Sequence, residues 1–308
     1  MIESFRQLIN RIKNMPLQRV CTAPAKDEAA LETARDALDE GIASLVLVGN
    51  QDYIWRTAVK ISLNLNKAEV IHEPDDERAL QVAVDMAAGG QADVLMRGGA
   101  STHDFLRLVS GHLGAGTLLS YLAAFEIPGY DRLVYVTDGG INQHPSFDDK
   151  VIILNNSVSF LRSVEIDTPR VAVLSANEKV SPKMPATVEA RKLSAMAGRG
   201  EFQGALVEGP MALDVAVSRE AARQKGADDS VASSADLLFV PNMEVGSLLG
   251  KSIIHFARGK MAAALLGAKK PVVMSSASES PFGKVCSLAL ACYSSALTAG
   301  GSEKNDGR

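Results

Sequence analysis

The chain contains a series of short apolar runs separated by helical patterns, and this series limits the folds that it can adopt. From residue 133 onward these runs recur at intervals of roughly 30 to 40 residues, the length of one strand–helix unit. The runs alternate little between apolar and polar residues, so each predicts a strand that is buried on both faces. They lie at 133–137, 170–174, 205–208, 237–240 and 272–274. This pattern predicts a parallel sheet covered by helices.

The first third of the chain continues the same alternation. Strands are predicted at 19–22, 44–48, 69–72 and 94–96, and helices at 5–13, 27–40, 55–64, 77–88, 149–164, 188–197, 216–225, 245–266 and 282–297. The expected class is therefore α/β, with two α/β domains and mainly parallel sheets. A glycine-rich stretch near 111–116 predicts a hinge, and the apolar helix 245–266 is expected to carry the chain back. We predict a discontinuous domain of residues 1–120 and 266–308, and a second domain of 121–265.

The composition limits the possible partners and the compartment. A net charge of −4 and a pI of about 5.8 give no support for broad binding to nucleic acid or to an anionic membrane, and we expect neither partner. No run approaches the ~20 apolar residues that cross a bilayer, and the N-terminus has no signal-peptide pattern. The chain contains no CxxC pair, so a reduced, cytoplasmic protein is expected; its cysteines are Cys21, Cys286 and Cys292.

Ligands of parallel α/β sheets bind at the carboxyl ends of the strands, so the loops there are the candidate site. The loop after 94–96 carries polar side chains beside two glycines: Arg97, Gly99, Ser101, Thr102 and Arg107. Hydroxyls and free N–H groups at a helix start suit a phosphate. The alternative is a glycine turn followed by a helix cap, since Ser101 and Asp104 form an S-x-x-D pattern. Spacing alone leaves both interpretations open.

Other strand-end loops add further candidate ligands for substrates. They supply Asn142, Asn177, Lys179, Lys183, Asn242, Glu244, Ser275 and Ser280. Each loop taken alone is also compatible with a solvated turn, whereas five such loops together indicate an enzyme with a cleft. P-loop, GxGxxG and HExxH patterns do not occur in the sequence, so no metal site is expected and a nicotinamide-dependent dehydrogenase is disfavoured.

Several segments together resemble the phosphate acetyltransferase/phosphate butyryltransferase family, and the butyryltransferase branch most. They are ADVLMRGGASTHDFLR (92–107), LLSYLAAFEIPGYDRLVYVTDGGIN (118–142), VAVLSANEKVSPKMPATVEA (171–190), GALVEGPMALDVAVS (204–218) and ADLLFVPNMEVGSLLGKS (235–252), together with KPVVMSSASES (270–280). The resemblance implies two α/β domains with an interdomain cleft, as in isocitrate and isopropylmalate dehydrogenases. It implies direct attack of a coenzyme A thiolate on an acyl phosphate, interconverting acyl-CoA plus phosphate with acyl phosphate plus CoA. It also implies no tightly bound cofactor, and a homodimer or larger homo-oligomer.

The resemblance also implies roles for individual residues. Ser276 matches the family's active-site serine, Arg107 matches an arginine that binds phosphate or CoA, and Ser101 and Thr102 match a hydroxyl pair. Glu279 matches the acid that usually lies three residues after the serine in the butyryltransferase branch. It is the candidate thiol base, with a solvent-facing capping residue as the alternative.

The chain departs from the family pattern at two positions. Ala277 stands where an arginine commonly follows the serine, and Gly283 stands where the acetyltransferase branch has an aspartate. Alanine cannot replace the bidentate contacts of a guanidinium with phosphate, so another cation is needed; the candidates are Arg97, Lys183 and Lys284. The alternative function is a non-catalytic or altered-substrate relative that binds CoA or acyl phosphate.

Overall fold

The computed structural model describes residues 2–114, 116–227, 230–276 and 279–305, with side chains up to residue 299. The chain forms two compact units. The terminal unit contains Ser4–Leu119 and the C-terminal segment from Lys260 onward, and the central unit contains Ser120–Gly259 with Ile2 and Glu3. The predicted bounds, 1–120 with 266–308 and 121–265, remain a prediction about domains. Ala277 and the adjacent Ser278 lie outside the described residues.

The terminal unit alternates helices with short buried strands. Its helices are α1 Phe5–Ile12, α2 Glu28–Asp39, α3 Gln51–Ile61, α4 Asp76–Ala88, α5 Thr102–Leu108 and, late in the chain, α11 Pro281–Asn305. Its strands are β1 Gln18–Ala23, β2 Ala43–Gly49, β3 Ala68–His72, β4 Val94–Arg97, β10 Lys260–Leu266 and β11 Val272–Val273. Within the unit they pair in the order β3-β2-β1-β4-β11-β10. All these pairs are parallel except β10–β11, which is antiparallel.

The helix α11 is the central helix of this unit. It packs against β10, α1 and α2, and buried side chains along it include Val285, Leu288, Leu290 and Tyr293. Its Pro281–Ala299 portion has the length and composition of a membrane span, with mean hydropathy 1.2, but 67% of that window is buried inside the protein. A helix was predicted here at 282–297, but its length and composition exceed the expectation that no run approaches a membrane span. Its burial is that of a core helix.

The central unit also alternates strands and helices. Its strands are β5 Ser120–Glu126, β6 Val134–Thr137, β7 Arg170–Leu174, β8 Leu206–Met211 and β9 Leu237–Phe239. Its helices are α6 Phe147–Ser163, α7 Pro185–Gly198, α8 Leu213–Val217, α9 Arg219–Gln224 and α10 Met243–His255. The strands pair in the order β5-β6-β9-β7-β8, with β5–β6 antiparallel and the other pairs parallel. Together the two units confirm the predicted α/β class with mostly parallel pairing.

One predicted helix was wrong, and one strand was not predicted. The predicted helix 245–266 ends at His255, and its second half is the strand β10. The strand β5 was not predicted, and it follows the glycine-rich stretch near 111–116. Both strands are rich in alanine and leucine, whose intrinsic preference is helical. Pairing in the sheet and burial overrode that preference, because all of β10 except Lys260 and all of β5 except Glu126 are buried.

Candidate active site

Three neighbouring parallel strands of the terminal unit, β1, β4 and β11, end side by side. Ala23 of β1 lies opposite Arg97 of β4, and Val273 of β11 lies opposite Met96. The loops that follow these strands therefore start at one edge of the sheet, the edge where ligands of parallel sheets bind. This register brings Arg97 and its loop next to the loop that carries Ser275 and Ser276.

Arg97 links two of these loops directly. Its Nη1 donates a hydrogen bond to the Thr102 hydroxyl at 2.8 Å, and its Nη2 donates to the Ser275 carbonyl at 3.3 Å. The guanidinium thus fixes the start of the Ser276 loop to the start of α5. These two hydrogen bonds bring three predicted site residues into contact: Arg97, Thr102 and Ser275.

The glycines after β4 allow the backbone to approach the loop after β1. A Cβ on Gly98 would lie 2.1 Å from the Pro24 carbonyl oxygen, and a Cβ on Gly99 would lie 2.4 Å from Cγ of Lys26. The Gly98 and Gly99 amides donate to the carbonyls of Ala23 and Pro24. No larger residue fits at Gly98 without moving backbone, and Gly99 gives room to the Lys26 stem.

Ser101 serves as the helix cap of α5. Its hydroxyl accepts from the Asp104 amide at 3.1 Å and donates to the Asp104 carboxylate at 2.6 Å. This is the capping alternative that the sequence left open. The Ser101 hydroxyl is engaged within its own cap, and a role in substrate binding remains a prediction.

Arg107 contacts the first turn of α4. Its Nη2 lies 2.7 Å from Glu77 Oε1, and both side chains are half exposed or more. Arg107, which was predicted to bind phosphate, thus forms an ion pair with an exposed carboxylate.

A buried carboxylate, that of Glu279, accepts a hydrogen bond from the loop that carries Ser276. The Ser276 amide donates to Glu279 Oε1 at 2.6 Å, and the Ser287 hydroxyl donates to Glu279 Oε2 at 2.6 Å. The Ser287 oxygen in turn accepts from the Ala263 amide of β10 at 2.8 Å. Through Glu279 and Ser287, the loop that carries the candidate catalytic serine is tied to α11 and to the sheet.

Glu279 is 5% exposed. Burial raises its pKa from 4.5 to about 7, against the opposing effects of the Ser287 and Ser276 hydrogen bonds and the charge of Lys284. The capping role belongs to Ser280, whose hydroxyl accepts from the Gly283 amide at 3.1 Å. The alternative that Glu279 is a solvent-facing cap is therefore wrong.

Gly283 explains one departure from the family pattern. A Cβ at this position would lie 2.5 Å from the Met261 carbonyl oxygen of β10. An aspartate side chain therefore has no room here unless β10 moves.

In the central unit, Asp138 organises the loop after β6. One carboxylate oxygen accepts from the amides of Gly140 and Ile141, and the other accepts from the Tyr121 amide and from the Asn142 side chain at 2.6 Å. Asp138 is buried, and burial raises the pKa of its carboxyl despite these donors. Asn142, a predicted substrate ligand, thus donates to a buried carboxylate.

The remaining predicted ligands of the central unit lie in turns and helix starts after parallel strands. The Asn177 side chain accepts from the Lys179 amide at 3.1 Å, and Asn242 caps α10 by accepting from the Val245 amide at 3.0 Å. Lys183 lies in the same loop as Asn177, and Glu244 lies in the first turn of α10. These contacts shape the loops, and substrate binding by these residues remains a prediction.

Three residues that hold these loops in place were not singled out from the sequence: Lys26, Asp138 and Ser287. Ser287 offered a signal, because it is a polar residue within the apolar stretch 285–293. Lys26 offered none beyond its place after a strand. Its partners come from segments distant in sequence.

The cysteines are buried, as predicted for Cys286 and Cys292. Burial raises the pKa of the Cys21 thiol to about 12 and raises that of Cys292 as well. Thiols in such surroundings stay protonated and do not act as nucleophiles. Among the described residues, no cluster of three or more His, Cys, Asp or Glu side chains suits a metal ion.

Comparison with known proteins identifies the family. Residues 76–292 match the family described as Phosphate acetyl/butaryl transferase. The chain is 40% identical over 303 residues to a phosphate butyryltransferase of Clostridium acetobutylicum, with 97% of this chain and 99% of the relative covered. It is 34% identical over 276 residues to a phosphate acetyltransferase of Thermotoga maritima, covering 89% of this chain and 94% of the relative.

Solved structures agree with this result. A branched-chain phosphotransacylase from Enterococcus faecalis V583 superposes with a TM-score of 0.80 at 30% identity, covering 91% of this chain and 99% of that one. A phosphotransacetylase from Streptococcus pyogenes, at 20% identity, shares the fold with a TM-score of 0.78 over 95% of this chain and 99% of that one. On these matches along nearly its whole length, the chain belongs to the phosphate acetyltransferase/phosphate butyryltransferase family.

Proposed function

We propose that this protein is a phosphate acyltransferase that interconverts a short-chain acyl-CoA plus phosphate with an acyl phosphate plus CoA. The observation that carries the proposal is the 40% identity with a phosphate butyryltransferase over 97% of the chain. The Ser276 loop supports it, because its amide, its supporting carboxylate and Arg97 are all fixed by hydrogen bonds at the carboxyl edge of the sheet.

In the proposed reaction the CoA thiolate attacks the carbonyl carbon of the acyl phosphate. A carbon–sulfur bond forms, the carbon–oxygen bond to phosphate breaks, and the phosphate leaves with the electron pair. Ser276 stabilises the developing oxyanion or the leaving phosphate by donating a hydrogen bond. CoA and phosphate are substrates that meet in one ternary complex, and we propose that the chain holds no resident cofactor.

Glu279 is the proposed acceptor of the thiol proton. A pKa of about 7 suits a general base, since it allows both acceptance and release of a proton near neutral pH. Its two oxygens also position the Ser276 amide and the Ser287 hydroxyl. The carboxylate is therefore proposed to act as both a base and a support for the loop.

The substrate-binding groups follow from the strand-end loops. In the terminal unit we propose Arg97, Gly99, Ser101, Thr102, Arg107, Ser275 and Ser280. In the central unit we propose Asn142, Asn177, Lys179, Lys183, Asn242 and Glu244. The architecture of isocitrate and isopropylmalate dehydrogenases remains part of the proposal. We further propose a cytoplasmic homodimer or larger homo-oligomer without nucleic-acid or membrane partners.

Steady-state kinetics test the function. The protein is incubated with acetyl-, butyryl- or isobutyryl-CoA and phosphate, and CoA release is followed with a thiol reagent. A ternary complex predicts intersecting double-reciprocal lines when both substrates are varied, whereas a covalent acyl-enzyme predicts parallel lines. Tight acyl-CoA binding without turnover for any acyl chain would instead indicate the non-catalytic relative.

A further inference from the structure

The first turn of α4 pairs with two cations, one from a loop and one from a helix. Asp76 forms an ion pair with Lys26, from the loop after β1, and the adjacent Glu77 pairs with Arg107 of α5 at 2.7 Å. Two consecutive carboxylates therefore fix a lysine and an arginine near the carboxyl edge of the sheet. Arg107 already has a proposed role as a substrate ligand, whereas Lys26 has none.

The Lys26 stem is placed by contact with the loop after β4. A Cβ on Gly99 would lie 2.4 Å from Cγ and 2.9 Å from Cε of Lys26. Three residues before Lys26, Ala23 is paired in register with Arg97. Lys26 thus lies beside the loop that Arg97 joins to Ser275.

The Lys26 ammonium is available to an anionic ligand. Its side chain is 44% exposed and that of Asp76 is 52% exposed. Exposed ion pairs of this kind contribute little net free energy, so a phosphate dianion competes well for the ammonium. Arg97, in contrast, uses Nη1 and Nη2 to hold Thr102 and Ser275.

We propose that Lys26 is a binding residue for a phosphate group of the substrates, either inorganic or acyl phosphate or the phosphates of CoA. The inference rests on the proposed acyltransferase function and adds a ligand to its site. Lys26 supplies a positive charge in a protein where alanine occupies position 277, the position at which the family commonly has arginine. The ammonium acts as a point charge that moves from Asp76 to the ligand.

Kinetics of Lys26→Met test this assignment. Methionine keeps most of the stem that packs on Gly99 and removes the charge. We expect the KM for phosphate or for acyl-CoA to rise about tenfold or more, the loss typical of a charge-assisted hydrogen bond, and Lys26→Arg to restore most of it. The matched control is Lys60→Met, which removes another exposed lysine of the same unit that pairs with a carboxylate, Glu28.

The KM values for the two substrates show which phosphate group Lys26 binds. A rise in KM for phosphate alone assigns Lys26 to the inorganic or acyl phosphate, and a rise for acyl-CoA assigns it to the CoA phosphates. KM values for both substrates within about twofold of Lys60→Met, in a variant with an unchanged urea midpoint, would overturn the inference. If the wild-type protein shows no turnover, the proposed function fails. The same variants are then titrated with CoA and with inorganic phosphate by calorimetry, where equal affinities overturn the role of Lys26.

Discussion

At the scale of single residues, Glu279 shows two opposing effects on one carboxyl group. Hydrogen bonds from the Ser276 amide and the Ser287 hydroxyl favour the charged form, and burial disfavours it. Burial is the larger effect, so the pKa rises to about 7. The sequence identified this residue only through the family resemblance. Its burial depends on β10 and on Ser287, which lie outside the motif.

The raised pKa of Glu279 predicts a pH dependence of stability. The folded protein binds more protons than the unfolded chain between about pH 4.5 and pH 7, so stability falls as pH rises through this window. Between about pH 5 and about pH 8, we expect the free energy of unfolding of the wild type to fall by roughly 2 to 3 kcal/mol more than that of Glu279→Gln. Urea unfolding at a series of pH values measures both. Equal pH slopes for the two proteins would contradict the assignment.

The hydrogen bonds of Asp138 predict that replacing it with asparagine strongly destabilises the folded protein. In Asp138→Asn one oxygen becomes an NH₂ group, which faces N–H donors that need an acceptor. We expect a loss of about 2 to 4 kcal/mol in the free energy of unfolding. Asp131→Asn, at a side chain that is 90% exposed, is the control and should change stability by less than about 0.5 kcal/mol. A loss for Asp138→Asn no greater than for the control would show that this hydrogen-bond network is not formed.

At the scale of elements, the sequence predicted nine of the eleven strands found in the described residues, because their apolar runs are rich in valine, isoleucine and leucine. It missed β5 and β10, whose alanine and leucine favour a helix when read locally. Pairing with the neighbouring strands of the sheet decides that these two segments are strands and not helices. Local patterns likewise predicted that polar loops follow the strands, but they did not predict that Arg97 reaches Ser275, 178 positions along the chain.

The close contact between the loops after β1 and β4 predicts that a larger residue at Gly98 destabilises the folded protein. A methyl group there would meet the Pro24 carbonyl at 2.1 Å. We expect Gly98→Ala to lower the free energy of unfolding by about 2 kcal/mol or more. Gly111→Ala has open space around its Cβ and serves as the control. Denaturant unfolding compares the two, and equal stabilities would show that the two loops do not pack as described.

At the scale of the whole molecule, the central unit carries an unusual apolar surface. Val245, Leu248 and Phe256, along one side of α10 and at its end, are 39%, 68% and 89% exposed. Exposed apolar patches are typical of contact surfaces between proteins. This surface supports the proposed homo-oligomer, for which the sequence itself offered only the family resemblance.

A charge on this surface should dissociate the proposed homo-oligomer. We expect Leu248→Glu to shift the protein towards monomer in sedimentation velocity, because a buried carboxylate at an interface lacks a partner. Val59→Glu, on α3 of the terminal unit at 83% exposure, should leave the assembly unchanged. Dissociation by Val59→Glu alone would place the interface on α3 instead, and an assembly insensitive to Leu248→Glu would exclude α10.

The turnover of Ser276→Ala with butyryl-CoA and phosphate, measured as CoA release, tests the proposed acyltransferase site. The proposed donor role predicts a kcat lower by about a hundredfold or more, with an unchanged urea midpoint. Ser44→Ala, on β2, is the control and should keep wild-type kcat. A Ser276→Ala protein that retains wild-type kcat, or a wild-type protein that turns over none of the acyl-CoAs tested, would contradict the account.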